Sequence, residues 1–243
     1  AQAMGFTDKE ICDISGLDFE NLNKIIKGNN IYPVYKMVDT CSGEFDAVTP
    51  YYYSCYEEED ENNISKEEKI IVIGSGPIRI GQGIEFDYSC VHGIWAIKNA
   101  GYEAIMINNN PETVSTDFDI ADKLFFESLY IDDVMNIIHV EKPKGVIVQL
   151  GGQTSINLAK ELSSRGVNIL GTSFESMDLA EDRDKFNDFL KNLNIPTPKG
   201  RSINSIPQAL EAVKELDYPV VVRPSYVIGG RAMQVVYDES NLI

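Results

Sequence analysis

The strongest constraint on the fold is the segment 69–89 (KIIVIGSGPIRIGQGIEFDYS), where an apolar run breaks into a glycine-rich turn and then enters a helical pattern. Residues 70–73 form a short, continuous run of mostly β-branched side chains, which is typical of a central parallel strand covered on both faces. Glycine occupies four of the ten positions 74–83, so backbone N–H groups there can approach a ligand closely. The start of the next helix attracts anions. The segment predicts a Rossmann-like unit with phosphate chemistry.

The spacing of the glycines does not fit a dinucleotide-binding fingerprint. After Gly74 and Gly76 the third glycine would fall at Arg79, and Pro77 interrupts the turn. The next predicted strand, residues 104–108, ends in asparagine and not in the acid that would hold a ribose. These departures argue against an NAD or FAD site.

Composition and charge narrow the class of protein. With 43% hydrophobic residues in 243, the chain can build one large core or two modest ones, and its apolar runs are too short for a membrane span, which indicates a soluble protein. Acidic residues outnumber basic ones by 38 to 21, and the formal charge of −17 argues against nucleic acid as a partner. Anionic ligands must therefore be held by local basic groups.

Cysteine and histidine spacing indicates neither disulfides nor zinc. The chain has four cysteines without a CxxC pair, Cys12, Cys41, Cys55 and Cys90. His92 and His139 lie far apart, and no metal-ligand spacing surrounds either of them. We expect reduced thiols, a cytoplasmic location and no metal site in this chain; a removed organellar transit peptide is the alternative.

Three segments follow from the pattern along the chain. Residues 1–63 predict two helices over 1–30, with a capping box at Thr7, then an aromatic, irregular stretch over 31–56 and an acidic linker, EEEDENN. Residues 64–180 alternate strands (70–73, 104–108, 123–126, 146–150, 167–170) with helices (85–100, 131–141, 155–165), the pattern of a parallel sheet. Its loops 74–83, 108–112 and 151–154 are expected to converge at the carboxyl ends of the strands.

The pattern changes after Gly171 and predicts the opening of a second domain, of the α+β class. A single long helix over 176–193 leads into it, followed by helix 206–216 and by strands 220–223 and 231–237 around a turn at 225–230. The chain thus reads as α/β, with a parallel sheet between an N-terminal helical segment and a smaller α+β subdomain.

Arg223 is the most suggestive polar residue, because it stands at a strand end six residues before Gly229 and Gly230. A guanidinium there could grip phosphate oxygens with two hydrogen bonds while the glycines fold over the same anion. A surface arginine beside a plain hairpin turn is an equally good interpretation. Arg183, among acids in AEDR, could bind phosphate or join a surface ion pair. The loops NPE (110–112) and GGQT (151–154) could receive an anion or be tight turns.

Taken together, these segments resemble the large subunit of carbamoyl phosphate synthetase along nearly the whole chain. The resemblance rests on PVYKMVDTC (33–41), YEEE (56–59), the run 74–88, NPETVST (110–116), KPKGVIVQ (142–149), GGQT (151–154) and AEDR (180–183). It implies the end of a helical oligomerisation domain with its linker over 1–63, a Rossmann-like pre-ATP-grasp domain over 64–180, and the truncated start of an ATP-grasp domain over 181–243.

The resemblance also implies an activity. The family is an ATP-dependent ligase that makes carbamoyl phosphate from bicarbonate, ATP and glutamine-derived ammonia, for arginine and pyrimidine synthesis. The upstream oligomerisation segment and the loop GGRAM (229–233) are similar to the second synthetase half, which phosphorylates carbamate. The implied partners are a glutamine amidotransferase, as a small subunit or a fused domain, and the remainder of the large subunit in an oligomer, without nucleic acid or membrane.

The same resemblance assigns roles to four residues. Arg183 and Arg223 would contact the nucleotide phosphates, Arg223 with a catalytic role, and Gly229 and Gly230 would belong to the loop that closes over them. The loop 74–83 would be scaffold and not the ATP phosphate site. The Mg²⁺ or Mn²⁺ ligands would lie beyond Ile243, so we expect the chain alone to be inactive.

Two alternatives to this interpretation remain at this stage. Another ATP-grasp ligase, such as biotin carboxylase, shares the pre-ATP-grasp architecture but would not carry the segment 35–41 upstream. A non-catalytic scaffold that oligomerises through residues 1–60 would need neither arginine for chemistry. The first alternative predicts a different relative, and the second predicts association without turnover.

Overall fold

Six strands form one sheet in the first of the two units into which the chain folds. The computed structural model describes residues 1–224 and 232–242. The first unit comprises Ala1–Ile78 with Ile84–Thr172, and the second comprises Arg79–Gly83 with Ser173–Ile243. Each unit has its own sheet.

The sheet of the first unit runs in the order β1-β2-β5-β4-β3-β6. Its strands are β1 (Val34–Met37), β2 (Tyr51–Cys55), β3 (Lys69–Ile73), β4 (Glu103–Ile107), β5 (Lys123–Phe125) and β6 (Gly145–Ile147). Only β1 is antiparallel to its neighbour; all other neighbours pair in parallel. Every residue of β3 is buried, which is why this strand reads as a continuous apolar run. The predicted parallel α/β sheet is confirmed.

Helices cover this sheet and precede it. They are α1 (Asp8–Ser15), α2 (Phe19–Gly28), α3 (Glu85–Asn99), α4 (Ile131–Glu141), α5 (Gly152–Ile156) and α6 (Ala159–Ser164). The predicted capping box starts α1, since the Thr7 side chain accepts from the Glu10 N–H and the Glu10 carboxylate accepts from the Thr7 N–H. Under α3, the core is built from Cys90, Ile94, Ile97, Ile70, Val72, Met106 and Leu124. Burial of this apolar cluster is the main stabilising contribution of the unit.

The prediction that residues 31–56 are irregular is wrong. They contain β1 and β2, and β2 lies parallel to β5 with Tyr52 beside Phe125. The rings of these two residues stand 5.6 Å apart. Strand formation here depends on a partner far away in the sequence, so the local pattern did not show it. The boundary at residue 63 stays a prediction, while both strands belong to the sheet of the first unit.

From β6 onward, the strands and helices are shorter than predicted. The strand expected over 146–150 ends at Ile147, and a 3-10 turn follows over Gln149–Gly151. The helix expected over 155–165 consists of α5 and α6, although the residues between them keep nearly helical backbone angles. Residues 167–170 contribute one bridge, between Ile169 and Val146, and not a full strand.

The second unit contains three α-helices and a two-stranded antiparallel sheet within its described residues. They are α7 (Phe174–Glu181), α8 (Arg183–Asn192), α9 (Ile206–Leu216), β7 (Val220–Val222) and β8 (Gln234–Val236). The single long helix over 176–193 is wrong, because Asp182 is extended and its carboxylate caps α8 by accepting from the N–H groups of Asp184 and Lys185. The predicted turn 225–230 and residue 231 lie outside the described residues.

Candidate functional site

The carboxyl edge of the parallel sheet gathers the loops that the sequence singled out. The Asn108 side chain, only 1% exposed, follows β4 and accepts hydrogen bonds from the N–H groups of Gly76 at 3.0 Å and Asn110 at 3.3 Å. The Gly74 N–H donates to the carbonyl oxygen of Ile107 at 2.8 Å. One buried amide therefore ties the turn after β3 to the loop after β4, and this part of the predicted convergence is confirmed.

The turn after β6 is held against the same edge by Gly151. A Cβ atom on Gly151 would lie 2.4 Å from the carbonyl oxygen of Ile73 and 2.5 Å from that of Gly74. Backbone oxygens cannot move aside as a side chain could, so only glycine permits this approach. Next to it, Ser155 is fully buried and its hydroxyl donates to the carbonyl oxygen of Val148 at 2.6 Å. The GGQT segment is thus a tightly packed part of the edge.

The segment 110–116 is fastened by an acid that the sequence analysis did not single out. Asp87, in the first turn of α3, is buried, and its carboxylate accepts from the N–H groups of Val114 at 3.1 Å and Ser115 at 3.0 Å. These are the first N–H groups of the short 3-10 helix Val114–Thr116. An acid in the first turn of α3 was the available signal, but its partners could not be read from the sequence. Asp87 thereby fixes the loop against α3.

Two polar atoms near this edge have no partner within the described residues. They are the hydroxyl oxygen of Ser115 and the side-chain oxygen of Gln149, both buried. In residues 74–78, 108–112 and 149–155 the side chains are neutral except for Glu112. The edge can therefore offer amide and hydroxyl hydrogen bonds to a small polar group. Residues 74–78, 108–112 and 149–155 contain none of the cations with which proteins usually meet a nucleotide triphosphate, and Arg79 belongs to the second unit.

Arg183 occupies the first position of α8 and not the middle of a long helix. It is half-buried, and within the described residues its guanidinium forms no ion pair. The surface ion pair considered from the sequence is therefore not observed among those residues. A cation at this position stands beside the positive end of the α8 dipole, where an anionic ligand would be favoured.

Arg223 directly follows β7 and is exposed, as the predicted strand end requires. It too forms no ion pair within the part of the chain that the structure describes. Gly229 and Gly230 lie outside the described residues. The structure places Arg183 and Arg223 in the same unit, and no hydrogen bond joins them there.

A buried charge cluster at the opposite edge of the sheet was not foreseen. The Glu141 carboxylate, at the end of α4, meets the Lys69 Nζ at 2.6 Å and the Lys123 Nζ at 2.9 Å, and Asn62 donates to it at 2.8 Å. Burial opposes ionisation of Glu141, but these hydrogen bonds outweigh burial and lower its pKa. The cluster joins the linker, two strands and a helix, so its role is structural.

Residues 1–224 and 232–242 contain neither a cluster of metal-ligating side chains nor a helix suited to span a membrane. In those ranges no group of three or more His, Cys, Asp or Glu side chains is arranged to hold a metal ion. Within the same residues, no helix combines the length and apolarity needed to cross a membrane. The four cysteines are free thiols.

Two family models and a close relative match this chain. A family model described as carbamoyl phosphate synthase preATP-grasp domain matches residues 66–179, and one described as carbamoyl-phosphate synthase L chain, ATP binding domain, matches residues 182–243. The carbamoyl phosphate synthase large chain of Clostridium acetobutylicum is 70% identical over 239 residues, which is 98% of this chain and 22% of that relative.

Solved structures with low sequence identity share the fold. Pyruvate carboxylase from Rhizobium etli matches 73% of this chain and 16% of its own with a TM-score of 0.52 at 14% identity. N5-carboxyaminoimidazole ribonucleotide synthetase from Thermus thermophilus matches 71% of this chain and 42% of its own with a TM-score of 0.50 at 16% identity. At such identities the likeness concerns the fold alone.

The mixed α/β fold and the two matched models define the class: a preATP-grasp domain followed by the sequence of an ATP-binding domain. Within that class, the chain belongs to the carbamoyl phosphate synthase large-chain family. It spans 22% of the length of the Clostridium relative.

Proposed function

We propose that the chain is part of a carbamoyl phosphate synthase, which makes carbamoyl phosphate from bicarbonate, ATP and glutamine-derived ammonia. The observation that carries this proposal is the 70% identity to the Clostridium large chain, sustained over 98% of the residues. Because the chain spans only 22% of that relative, the activity is assigned to the longer protein. We expect the 243 residues alone to show no turnover.

We assign the chain to the second synthetase half, which phosphorylates carbamate. The upstream segment 33–41 and the loop sequence 229–233 support this assignment. In the reaction, a carbamate oxygen attacks the γ-phosphorus of ATP, the bond from that phosphorus to the β–γ bridging oxygen breaks, and ADP leaves. The product is a mixed anhydride, and no side chain needs to act as nucleophile. Its proposed uses are arginine and pyrimidine synthesis.

Arg183 and Arg223 are the proposed phosphate ligands. Both are cations without a carboxylate partner among the described residues, in a chain whose formal charge is −17. Negative charge shifts between phosphate oxygens during transfer, and fixed cations stabilise it. We assign the catalytic role to Arg223, which would contact the nucleotide phosphates, and Gly229 with Gly230 would form the closing loop.

The metal and the partners belong to the longer protein. Mg²⁺ or Mn²⁺ would neutralise phosphate charge when bound, but the described residues contain no group suited to hold it, so no step is assigned to it here. The proposed partners are a glutamine amidotransferase, as a small subunit or fused domain, and the remainder of the large chain, in an oligomer. A cytoplasmic location fits the four free thiols.

Two partial reactions of the complete enzyme test this assignment. If this half phosphorylates carbamate, its reversal makes ATP from ADP and carbamoyl phosphate, whereas bicarbonate-dependent ATP hydrolysis reports the other half. We expect Arg223→Ala to lower ATP formation by about 100- to 1000-fold, the usual loss when one group that stabilises transition-state charge is removed. Bicarbonate-dependent hydrolysis should remain.

A second arginine of the same unit supplies the control. Arg201 pairs with Glu211 at 3.3 Å and Glu215 at 3.7 Å on the surface, so Arg201→Ala should leave both partial reactions unchanged. Loss of bicarbonate-dependent hydrolysis instead of ATP formation would assign the chain to the first half. Retention of both reactions in Arg223→Ala would remove Arg223 from the site.

A further inference from the structure

Helix α3 carries large side chains on a second face besides the one that packs on the core. Cys90, Ile94 and Ile97 face the core and are buried. On the other side, Tyr88 is 63% exposed and Trp95 is 45% exposed, with His92 exposed between them. Large exposed side chains that form one patch, unlike single scattered ones, mark contact surfaces. The outer face of α3 therefore lacks a cover within the described residues.

Tyr88, His92 and Trp95 form one continuous row of rings, here called the α3 stripe. The ring centroids of Tyr88 and His92 are 4.3 Å apart, and those of His92 and Trp95 are 5.2 Å apart. Spacings of four and three residues place them on one side of the helix, as along the seam of a coiled coil. The stripe is thus a preformed surface and not three scattered side chains.

The helix cannot turn this stripe inward. A Cβ atom on Gly93 would lie 2.4 Å from Leu150, which shows how closely α3 sits on the segment after β6. The core-facing positions are already filled by other apolar side chains. Rotation would bring the aromatic rings into a packed core, where added volume is costly.

The α3 stripe lies in a segment without charged residues. Residues 88–97 contain no Asp, Glu, Lys or Arg, although the chain as a whole has a formal charge of −17. Tyrosine and tryptophan are enriched at the centres of protein interfaces, from which charged residues are depleted. The face that covers the stripe is expected to be apolar and uncharged as well.

The available interface area and the net charge indicate which kind of partner covers the α3 stripe. A stable interface between separate proteins takes about 800 Å² and 20–30 residues from each partner, which one helical stripe about 10 Å long does not supply. Two copies with a charge of −17 each also repel one another. A domain joined to this one by the same backbone needs less area, because linkage raises its effective concentration. The Clostridium relative contains more than four times the length of this chain.

We propose that the α3 stripe is the docking surface for an apolar face of another domain of the same large chain. This rests on the proposed function only in that the 243 residues are part of a longer large chain. The docked domain shields the rings of His92 and Trp95 from water. The prediction concerns contact and not turnover, so it can be tested without an activity assay.

Modification of the two histidines provides the test. Diethyl pyrocarbonate is applied to this chain alone and to the full-length large chain, and the modified peptides are quantified by mass spectrometry. We expect His92 to react at least about tenfold more slowly in the full-length chain, because an interface core excludes water. The matched control is His139, which is also exposed but lies on α4, beside Tyr32. Its rate should change much less.

A charge placed in the stripe gives a second readout. Tyr88→Glu should lower the thermal midpoint of the full-length chain and leave that of the 243-residue chain unchanged. Tyr237→Glu, at a tyrosine that is 69% exposed, should lower neither. If the unchanged full-length chain made no carbamoyl phosphate while His92 was protected in it, the proposed function would fail and the docking surface would stand.

Three results would overturn the proposal. Equal reaction of His92 in both chains would show that the stripe is free. Protection of His92 in this chain at high concentration, together with a dimer in sedimentation, would make a second copy the occupant. Protection only after the amidotransferase is added would make a separate subunit the occupant.

Discussion

Glu141 and Lys69 form a buried ion pair of 2.6 Å although they lie 72 residues apart in the sequence. Lys123, 2.9 Å from the same carboxylate, adds a second buried cation, so a single negative charge balances two positive ones. Lys123 also lies 5.7 Å from the centre of the Tyr52 ring, whose electron-rich face helps to hold the excess charge. Glu141 is therefore the member of the cluster whose loss leaves the most charge unbalanced.

We predict that Glu141→Gln lowers the free energy of unfolding of the first unit by about 3–5 kcal/mol, because it leaves both lysines buried without a counter-charge. Urea unfolding followed by the fluorescence of Trp95, the only tryptophan in the chain, measures this unit. Glu20→Gln is the control, since its pair with Lys24 is exposed on α2. A loss no larger than that of the control would show that the cluster is not a structural clamp.

We predict that Gly151→Ala destabilises the first unit by about 1–3 kcal/mol, because the new methyl group meets two backbone carbonyl oxygens. Gly28→Ala is the matched control: its Cβ would meet nothing within 4 Å, and it ends a helix with a negative φ. The control should be neutral or slightly stabilising. If both variants unfold at the same urea concentration, the close approach at the sheet edge does not require glycine.

The parts of the fold that the sequence predicted are those with strong local patterns. Strands β3 and β4 contain continuous apolar runs, and Gly101 stops the helix between them, so their order and parallel arrangement followed. Strands β1 and β2 escaped detection because their pairing depends on β5. The break at Asp182 was missed because helical periodicity continues across it, while its carboxylate caps the next helix.

In the candidate site, too, some features followed from local sequence patterns and others did not. Glycine turns and asparagines at strand ends indicated where the loops of the first unit converge, and Asn108 confirms their junction. Asp87 contacts the loop 110–116, and Glu141 contacts its lysines, across long sequence separations. Residue spacing alone does not predict such contacts. Roles for Arg183 and Arg223 came from the resemblance and stay predictions.

We predict that Asp87→Ala frees the loop 110–116. Hydrogen bonds to a charged acceptor are worth about 1.5–3 kcal/mol, so amide exchange at Val114 and Ser115 should accelerate by at least about tenfold. Hydrogen exchange measured by mass spectrometry on this segment tests the effect. Asp87→Asn, which keeps one acceptor oxygen, should give an intermediate rate, and Glu112→Gln should give the rate of the unchanged chain. Unaltered exchange in Asp87→Ala would mean that the loop is held by other contacts.

We predict that Glu127→Gln stabilises the first unit at neutral pH. Burial raises the pKa of Glu127, hydrogen bonds from the Ser54 side chain and N–H oppose the shift, and the charge of Asp133 adds to it. A carboxyl whose pKa is higher in the folded state holds its proton more tightly there. Its contribution is therefore most favourable at low pH and is lost as the pH rises through the folded pKa. Glutamine removes the charge and keeps an oxygen that can accept from the Ser54 N–H.

Urea unfolding followed by Trp95 at a series of pH values tests the sign. The advantage of Glu127→Gln should be largest above the raised pKa and should shrink as the pH falls to 4.5, the ordinary pKa of a glutamate, and below it. Below that pH the wild-type carboxyl is protonated in both states. The exposed Glu67 gives the control Glu67→Gln, whose effect should not depend on pH in this way. A constant advantage across the series would mean that shape, and not charge, distinguishes the variant. A loss of stability near neutrality would show that the Ser54 hydrogen bond to the ionised carboxylate outweighs the cost of burying it.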